Sequence, residues 1–348
     1  MRIAAHINLG ALKQNLQQVK RLAPQSQVLA MVKANAYGHG LVECARALDA
    51  DYLGVATLDE ALTLRAQGIA KRIVLMGGIA EAANLPLLAA HQLDMVVYHD
   101  LHVELLSQYS GAVSLKVWLK IDTGMHRLGC AVADAERLLR RLEQNRRLQI
   151  QAVMTHLAVA DERDHPHTAQ QFEQFAALTQ GWSYPRSVVN SAGILRYPEA
   201  HLDIVRPGLM LYGLSPCRDI SEADAGLVPV MRFEAKVLNV LDVPVGDAIG
   251  YGLDWVALQP SRIAVISAGY GDGYPQYPHH DARVSIHGGL CPIVGRVSMD
   301  FMMVDITACQ RVAINDQVIL WDQAHAVMSP YASLTRVMAR VPRIFAGE

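Results

Sequence analysis

Eight short runs rich in apolar or β-branched residues recur through the first two hundred positions, at residues 28–32, 52–56, 73–76, 95–98, 113–121, 150–154, 187–189 and 202–205. Runs of this length and composition read as strands. Helical spacing of apolar residues lies between most of them, at 41–48, 58–66, 82–90, 101–107, 131–142 and 168–178, and another such stretch covers 11–22. Eight strands alternating with helices in about two hundred residues fit a (β/α)8 TIM barrel, in which functional groups gather where the strands end. An open doubly wound α/β sheet remains the alternative.

From about Gly226 the pattern changes to short alternating runs bounded by Gly, Pro and Asp. Strands are expected at 233–241, 263–267, 283–287, 292–297, 302–306 and 318–321, with Gly288-Gly289 as a two-residue hairpin turn. Ser329-Pro330 signals the start of a short helix reaching about Val341. The expected organisation is a barrel over residues 1–225 and a second, all-β domain over 226–348, with the first few residues free to join the latter.

The 348 residues, 51% hydrophobic and 18% charged, can bury a large core. A formal charge of −2 gives no electrostatic reason to expect nucleic acid or an anionic membrane as partner. The five cysteines (Cys44, Cys130, Cys217, Cys291 and Cys309) include no Cys-x-x-Cys pair and read as reduced thiols. The amino terminus has no long apolar core, and no later stretch reaches spanning length without charges. A cytoplasmic protein acting on small molecules is the expectation.

In the stretch Ala30-Met31-Val32-Lys33-Ala34-Asn35-Ala36-Tyr37-Gly38-His39-Gly40, a lysine stands where an apolar run stops and a glycine-punctuated turn begins. Burial there would pull its pKa below about 10.4 and suit it to nucleophilic or proton-transfer work; a surface lysine is the plain alternative. If the barrel is right, Lys33, Lys120, Asp122 to Arg127, His156, Asn190-Ser191-Ala192-Gly193 and Arg206-Pro207-Gly208 share one rim. Small residues after strands seven and eight let backbone N–H groups reach a phosphate. Ser191 as a helix cap, Gly208 as a turn residue and Arg206 as a surface charge are the separate alternatives. A phosphate site opposite a buried lysine suggests pyridoxal phosphate held as a Schiff base.

Ala30 to Gly40 resembles the pyridoxal-phosphate attachment segment of the alanine racemases, within the fold-type III amino-acid racemases. Six further segments match in order: Asp122-Thr123-Gly124-Met125-His126-Arg127-Leu128-Gly129, Asn190-Ser191-Ala192, Arg206 through Gly213, Gly250-Tyr251-Gly252, Gly269 through Pro275, and Val294 through Asp300. The likeness covers nearly the whole chain. It implies interconversion of L- and D-alanine by two bases, Lys33 and Tyr251, one on each face of the substrate, with Tyr251 donated by the partner subunit of a homodimer. Tyr37, Ser191, Gly208 and Leu209 match phosphate contacts, the last two through backbone N–H. Arg206 matches the contact to the pyridine nitrogen, where a fixed cation discourages ring protonation, and His156 would pack near the ring and orient Arg206. Arg127 and the backbone of Met299 would meet the substrate carboxylate, Tyr270 and Asp300 would shape the entrance, and Lys120 sits where the family often has a carbamylated lysine.

Residues 161–167 and His279-His280-Asp281 carry metal-capable side chains but read as solvated loops, so no catalytic metal is expected. One departure stands out. Many family members carry a tyrosine before the Arg-Val-Pro-Arg segment, where this chain has Ala339; its loss would widen the inner gate and let serine or larger amino acids compete with alanine. The rival readings are a broader alanine/serine racemase, a pyridoxal-phosphate amino-acid decarboxylase, which Arg206 disfavours, and a non-catalytic cofactor-binding protein, which the second domain disfavours. A biosynthetic role supplying D-alanine as a peptidoglycan precursor and a catabolic role are both open.

Overall fold

The computed structural model describes residues 2–278, 281–309, 311–321 and 336–347. They fall into two compact units, one of Leu12–Ala36 and Leu41–Val228, the other of the described residues of Met1–Ala11, Tyr37–Gly40 and Pro229–Glu348.

The first unit is a parallel barrel. Its strands, Gln27–Met31, Tyr52–Val55, Arg72–Leu75, Leu93–Val97, Leu115–Asp122, Leu148–Met154, Arg186–Ser187 and Ile204–Val205, pair in sequence order, and the eighth returns to the first through Ile204↔Gln27. Backbone bonds from Asp203 N to Arg186 O (3.2 Å) and from Arg206 N to Val189 O (3.0 Å) join the seventh strand to the eighth. An open sheet is thereby excluded. Most of these strands are buried on both faces, which is why they read as continuous apolar runs rather than alternations. The helices show the complementary one-sided pattern: Val132–Gln144 buries Ala135, Leu138, Leu139 and Leu142. That spacing is one stripe of a helix, and each buried leucine contributes about 1.5–3 kcal/mol.

The second unit is built on antiparallel pairing. Strands Ser261–Ile266, Met302–Asp305, Gly289–Val294, Arg283–Ile286, Gln317–Trp321 and Met231–Val243 pair in that order, and Met231–Val243 pairs again with Ser261–Ile266 to close the ring. Ile3–Asn8 adds beside Met231–Val243, and Arg343–Ala346 lies parallel to Ile3–Asn8.

Three details differ from expectation. The hairpin turn is His287-Gly288, one residue earlier than expected, because Ile286 pairs with Gly289. Both turn residues have positive φ (51° and 80°), as a two-residue turn matched to strand twist requires, and the histidine accepts it without being glycine. Residues 336–341 are turns rather than the end of a helix, held where Met338 N donates to Asp272 O and Val341 N to Met338 O; the rest of that expected helix, 329–335, lies outside the described residues. Ile3–Asn8 and Arg343–Ala346 were not anticipated as strands, since each is defined by a neighbour remote in sequence.

Candidate active site

The barrel brings the expected rim residues to the carboxyl ends of its strands. Lys33 follows the first strand, Lys120 and Asp122 close the fifth, Thr155 and His156 follow the sixth, Ser191 opens the helix Ser191–Arg196 after the seventh, and Arg206 follows the eighth.

Immediately after Lys33 the backbone turns left-handed at four consecutive non-glycine residues, Ala34, Asn35, Ala36 and Tyr37 (φ 52–54°). Each such residue costs about 1–2 kcal/mol. Compensation comes from named bonds: Ala36 N donates to Val32 O at 2.8 Å, Asn35 N to Glu60 Oε1 at 3.2 Å, and Leu41 N to Asn35 Oδ1 at 2.8 Å. Glu60 is itself fixed as the third residue of a capping box with Thr57, and its other oxygen takes Ala56 N at 2.8 Å. Strain of this kind persists where surrounding structure over-determines it, and here it fixes the chain that carries Lys33.

The rim is a cluster of cations in which Lys120 and Arg206 are buried, Lys33 is partly buried and Arg127 is exposed. Burial, then the charge of Arg127, lowers the Lys33 pKa, against a smaller opposing pull from Glu60. Lys120 is lowered to about 8 by burial and then by Arg206, Arg127 and Lys33. Arg206 is 4% exposed, and burial lowers it to about 10. Its guanidinium is spread over four acceptors: Ser187 Oγ (2.6 Å), Thr155 O (2.6 Å), Val188 O (3.0 Å) and His156 Nδ1 (3.2 Å). Because Nδ1 accepts from an arginine, the His156 ring is neutral with its proton on Nε2, and burial followed by the nearby cations holds its pKa well below the ordinary histidine value.

Asp122 shapes the loop that presents Arg127. Its Oδ1 accepts N–H groups from Gly124 (2.8 Å), Met125 (2.8 Å) and His126 (3.1 Å), while Oδ2 accepts that of Arg127 (3.0 Å). Burial opposes the carboxylate, but these backbone donors prevail and lower its pKa. Gly129 closes the loop at φ 150°, where a Cβ would lie 2.4 Å from Asp122 N, so glycine is required. Gln171, fully buried, ties this loop to the neighbouring one: its Nε2 donates to Thr123 Oγ1 at 3.5 Å and to His156 O at 3.0 Å, and its Oε1 accepts Ala158 N at 2.8 Å. Asp122 could have been singled out from the Asp-Thr-Gly turn signal. Gln171 has no sequence signal beyond its helical position.

Ser191 Oγ accepts N–H bonds from Gly208 (2.8 Å) and Met210 (3.3 Å), and its own O–H stays available to donate. The Gly208 N–H is therefore directed at Ser191 in this structure. Leu209 begins the short helical turn Leu209–Tyr212. Tyr37 ends the left-handed turn, half-buried, with its phenol pushed up to about 12 by burial.

In the second unit, Tyr251 stands 71% exposed on a turn whose glycines, Gly250 and Gly252, have φ of 75° and 77°. The Tyr270 and Met299 loops are stitched together by Tyr270 N to Ser298 O (3.0 Å) and Gly271 N to Met299 O (2.9 Å). Asp272, 1% exposed, anchors both: it takes Gly269 N (3.0 Å), Arg2 (3.1 Å) and Arg340 (2.8 Å). Arg340 also reaches Asp300 at 3.0 Å. This network was not anticipated from the sequence. Among the described residues no group of three or more potential metal ligands is found, and His279 and His280 lie outside them.

Comparison with known proteins matches residues 7–216 to the alanine racemase N-terminal domain and residues 230–345 to the alanine racemase C-terminal domain. This chain belongs to the alanine racemase family. The alanine racemase of Pectobacterium carotovorum subsp. carotovorum (strain PC1) is 43% identical over 346 residues, 97% of this chain and 96% of that one. Among solved structures, the biosynthetic alanine racemase from Pseudomonas aeruginosa superposes with a TM-score of 0.95 at 39% identity, covering 99% of each chain. The alanine racemase from Acinetobacter baumannii gives 0.92 at 37% identity, covering 99% of this chain and 100% of that one.

Alanine racemases use pyridoxal phosphate, and the donor set of this barrel fits that group. Lys120 is within electrostatic reach of Arg206, Arg127 and Lys33, and Lys33 of Arg127, whereas the carboxylates that act on the same lysines are Glu60 and Asp122. Such an excess of positive charge, half of it on the buried Lys120 and Arg206, calls for anions, which a phosphate and an amino-acid carboxylate supply. The lowered Lys33 pKa furthermore leaves more of its amine in the neutral form that condenses with an aldehyde.

Proposed function

We propose that this protein interconverts L- and D-alanine with pyridoxal phosphate, using Lys33 and Tyr251 as the two proton carriers. The observation that carries the reading is Lys33, at the end of the first barrel strand with its pKa lowered by burial and by Arg127, in a chain of the alanine racemase family. Lys33, Tyr37, His156, Ser191, Arg206, Gly208 and Leu209 would hold the cofactor. Pyridoxal phosphate, when bound, supplies an aldehyde that captures an amine and a conjugated ring that spreads the negative charge left at the α-carbon.

The protein's own contribution is proton placement. Lys33 Nζ, neutral more readily than an exposed lysine, takes or returns the α-proton on one face, and the Tyr251 phenol does so on the other, so the centre inverts. Arg206 is the residue assigned to the ring nitrogen. It stays cationic at neutral pH even with its pKa lowered to about 10, and it has no proton acceptor to offer. That disfavours the ring-protonated chemistry a decarboxylase exploits. Arg127, held by the Asp122 loop, suits a substrate carboxylate, together with the Met299 backbone, while Tyr270 and Asp300 shape the entrance. Lys120, with a pKa of about 8, has enough neutral amine near neutral pH to be carbamylated, which would add a negative charge beside Arg127.

Tyr251 is assigned to the pocket of a partner subunit, making the working unit a homodimer with shared sites. Its exposure, in a turn that also exposes Leu253, supports this, because a catalytic phenol has no use in bulk water. No helix among the described residues is long and apolar enough to cross a membrane, which fits a cytoplasmic enzyme. The similarity to an alanine racemase described as biosynthetic favours supply of D-alanine for peptidoglycan over catabolism.

Incubation with L-alanine in deuterated water tests the reaction: loss of the α-proton signal with inversion supports it, and release of carbon dioxide refutes it. Lys33→Ala should abolish the visible absorption of the holoenzyme. Tyr251→Phe should keep that absorption and lose most turnover in at least one direction; normal turnover both ways would sink the two-base assignment.

A further inference from the structure

The second unit holds a pair of neighbouring thiols. Cys291 lies on strand Gly289–Val294 and is 1% exposed. Cys309 follows strand Met302–Asp305 and is partly exposed. The two strands form one antiparallel hairpin through Ile293↔Val304 and Val294↔Met303. Continuing that register would set Cys291 against Ile306, and the turn closed by Cys309 N donating to Ile306 O at 2.9 Å brings Cys309 back toward it. Both sulfurs converge on Gly289. Cys291 Sγ is 3.9 Å from Gly289 O, and Cys309 Sγ is 3.8 Å from the place a Cβ on Gly289 would occupy. The missing side chain leaves that side open to Cys309, whose thiol lies close enough to raise the pKa of Cys291.

We propose that Cys291 and Cys309 are a redox-active pair that forms a reversible intramolecular disulfide when the thiol pool around the protein becomes oxidised. The two members have different parts. Cys309 is the accessible thiol and reacts first. Cys291 is buried, its thiol pushed up to about 12 by burial and then by the neighbouring Cys309, so it is a slow nucleophile toward external oxidants and acts only on a partner already beside it. With a low-molecular-weight disulfide as oxidant, the Cys309 thiolate attacks one sulfur and expels the first small thiolate. The Cys291 thiolate then attacks Cys309 Sγ and expels the second. Two protein thiols lose two electrons and two protons in all, and one small disulfide becomes two thiols.

The bond would staple the open end of the hairpin whose far end carries Met299 and Asp300. Closing a loop in the unfolded chain raises stability, so the oxidised protein should melt at a higher temperature than the reduced one. This inference does not depend on the proposed reaction. Cys44, Cys130 and Cys217 are buried and provide the internal control.

The test uses the native full-length holoenzyme equilibrated in glutathione buffers from fully reduced to fully oxidised, quenched with acid, denatured, alkylated and mapped by mass spectrometry. The expected result is loss of two of the five alkylatable thiols, a linked peptide pair containing positions 291 and 309, and reversal by dithiothreitol. Cys291→Ser should instead accumulate a stable glutathione adduct on Cys309, and Cys309→Ser should leave Cys291 unmodified. In reducing buffer both variants should melt near the unmodified protein's temperature, and only the unmodified protein should gain a higher melting temperature on oxidation. Retention of all five thiols in oxidised glutathione, or a Cys309 adduct that persists with Cys291 present, would overturn the proposal.

Discussion

Replacing Asp122 with Asn tests whether one carboxylate sets the geometry of Arg127, the arginine proposed to bind the substrate carboxylate. The wild-type side chain accepts four backbone N–H groups at 2.8–3.1 Å. An amide keeps a single acceptor oxygen. If that oxygen faces Gly124, Met125 and His126, the NH2 points at the Arg127 N–H from 3.0 Å, so a donor meets a donor. One charge-assisted bond is then lost, at about 1.5–3 kcal/mol, and the other three weaken without the charge. Asp122 is only half-buried, and water relieves part of this, leaving about 1.5–3 kcal/mol of loosening in the loop. That is a modest share of a domain's roughly 5–15 kcal/mol, so the fold survives. If Arg127 is held in position for only a fraction of the time, apparent substrate affinity falls by the same fraction, and about 1.5–3 kcal/mol corresponds to a roughly 10–150-fold rise in KM. Steady-state kinetics with alanine should show that rise with a smaller change in kcat and an unchanged cofactor spectrum. Gly129→Ala should act in the same sense, because its Cβ would strike Asp122 N. A KM within twofold of the original in a folded Asp122→Asn variant would refute the reasoning. The sign with pH is fixed too: the folded pKa is depressed, so the carboxylate's support is present above its unfolded value of about 3.9 and is lost only as the pH falls through the lower folded value.

Two further outcomes are expected. Lys120 has its folded pKa lowered to about 8, so folding disfavours its charge below that pH and the penalty disappears as pH rises toward the unfolded value of about 10.4. Thermal denaturation of the cofactor-free protein should show stability from this group increasing between those values, and Lys120→Met should remove that slope; an identical slope in the variant would contradict it. Ala339→Tyr should shift the ratio of serine to alanine turnover toward alanine by narrowing the entrance, measured as kcat/KM for each amino acid. An unchanged ratio would show that Ala339 does not set the gate.

Sequence pattern alone determined the fold class. Periodicity of two or of 3.6 is a local property, so eight buried strands, their amphipathic helices and the change of character near residue 226 could be read from neighbours in the chain. The motif around Lys33 was legible for the same reason. What the tertiary structure decided is whatever depends on partners remote in sequence. Ile3–Asn8 is a strand because Met231–Val243 and Arg343–Ala346 lie beside it, and nothing in its own residues names either. The low pKa of Lys33, the neutral ring of His156 and the four acceptors of Arg206 exist only once strand ends from across the barrel share one rim. Even the hairpin at His287-Gly288 was misplaced by one residue, because glycine content shows where positive φ is cheap, while strand register decides where it is required.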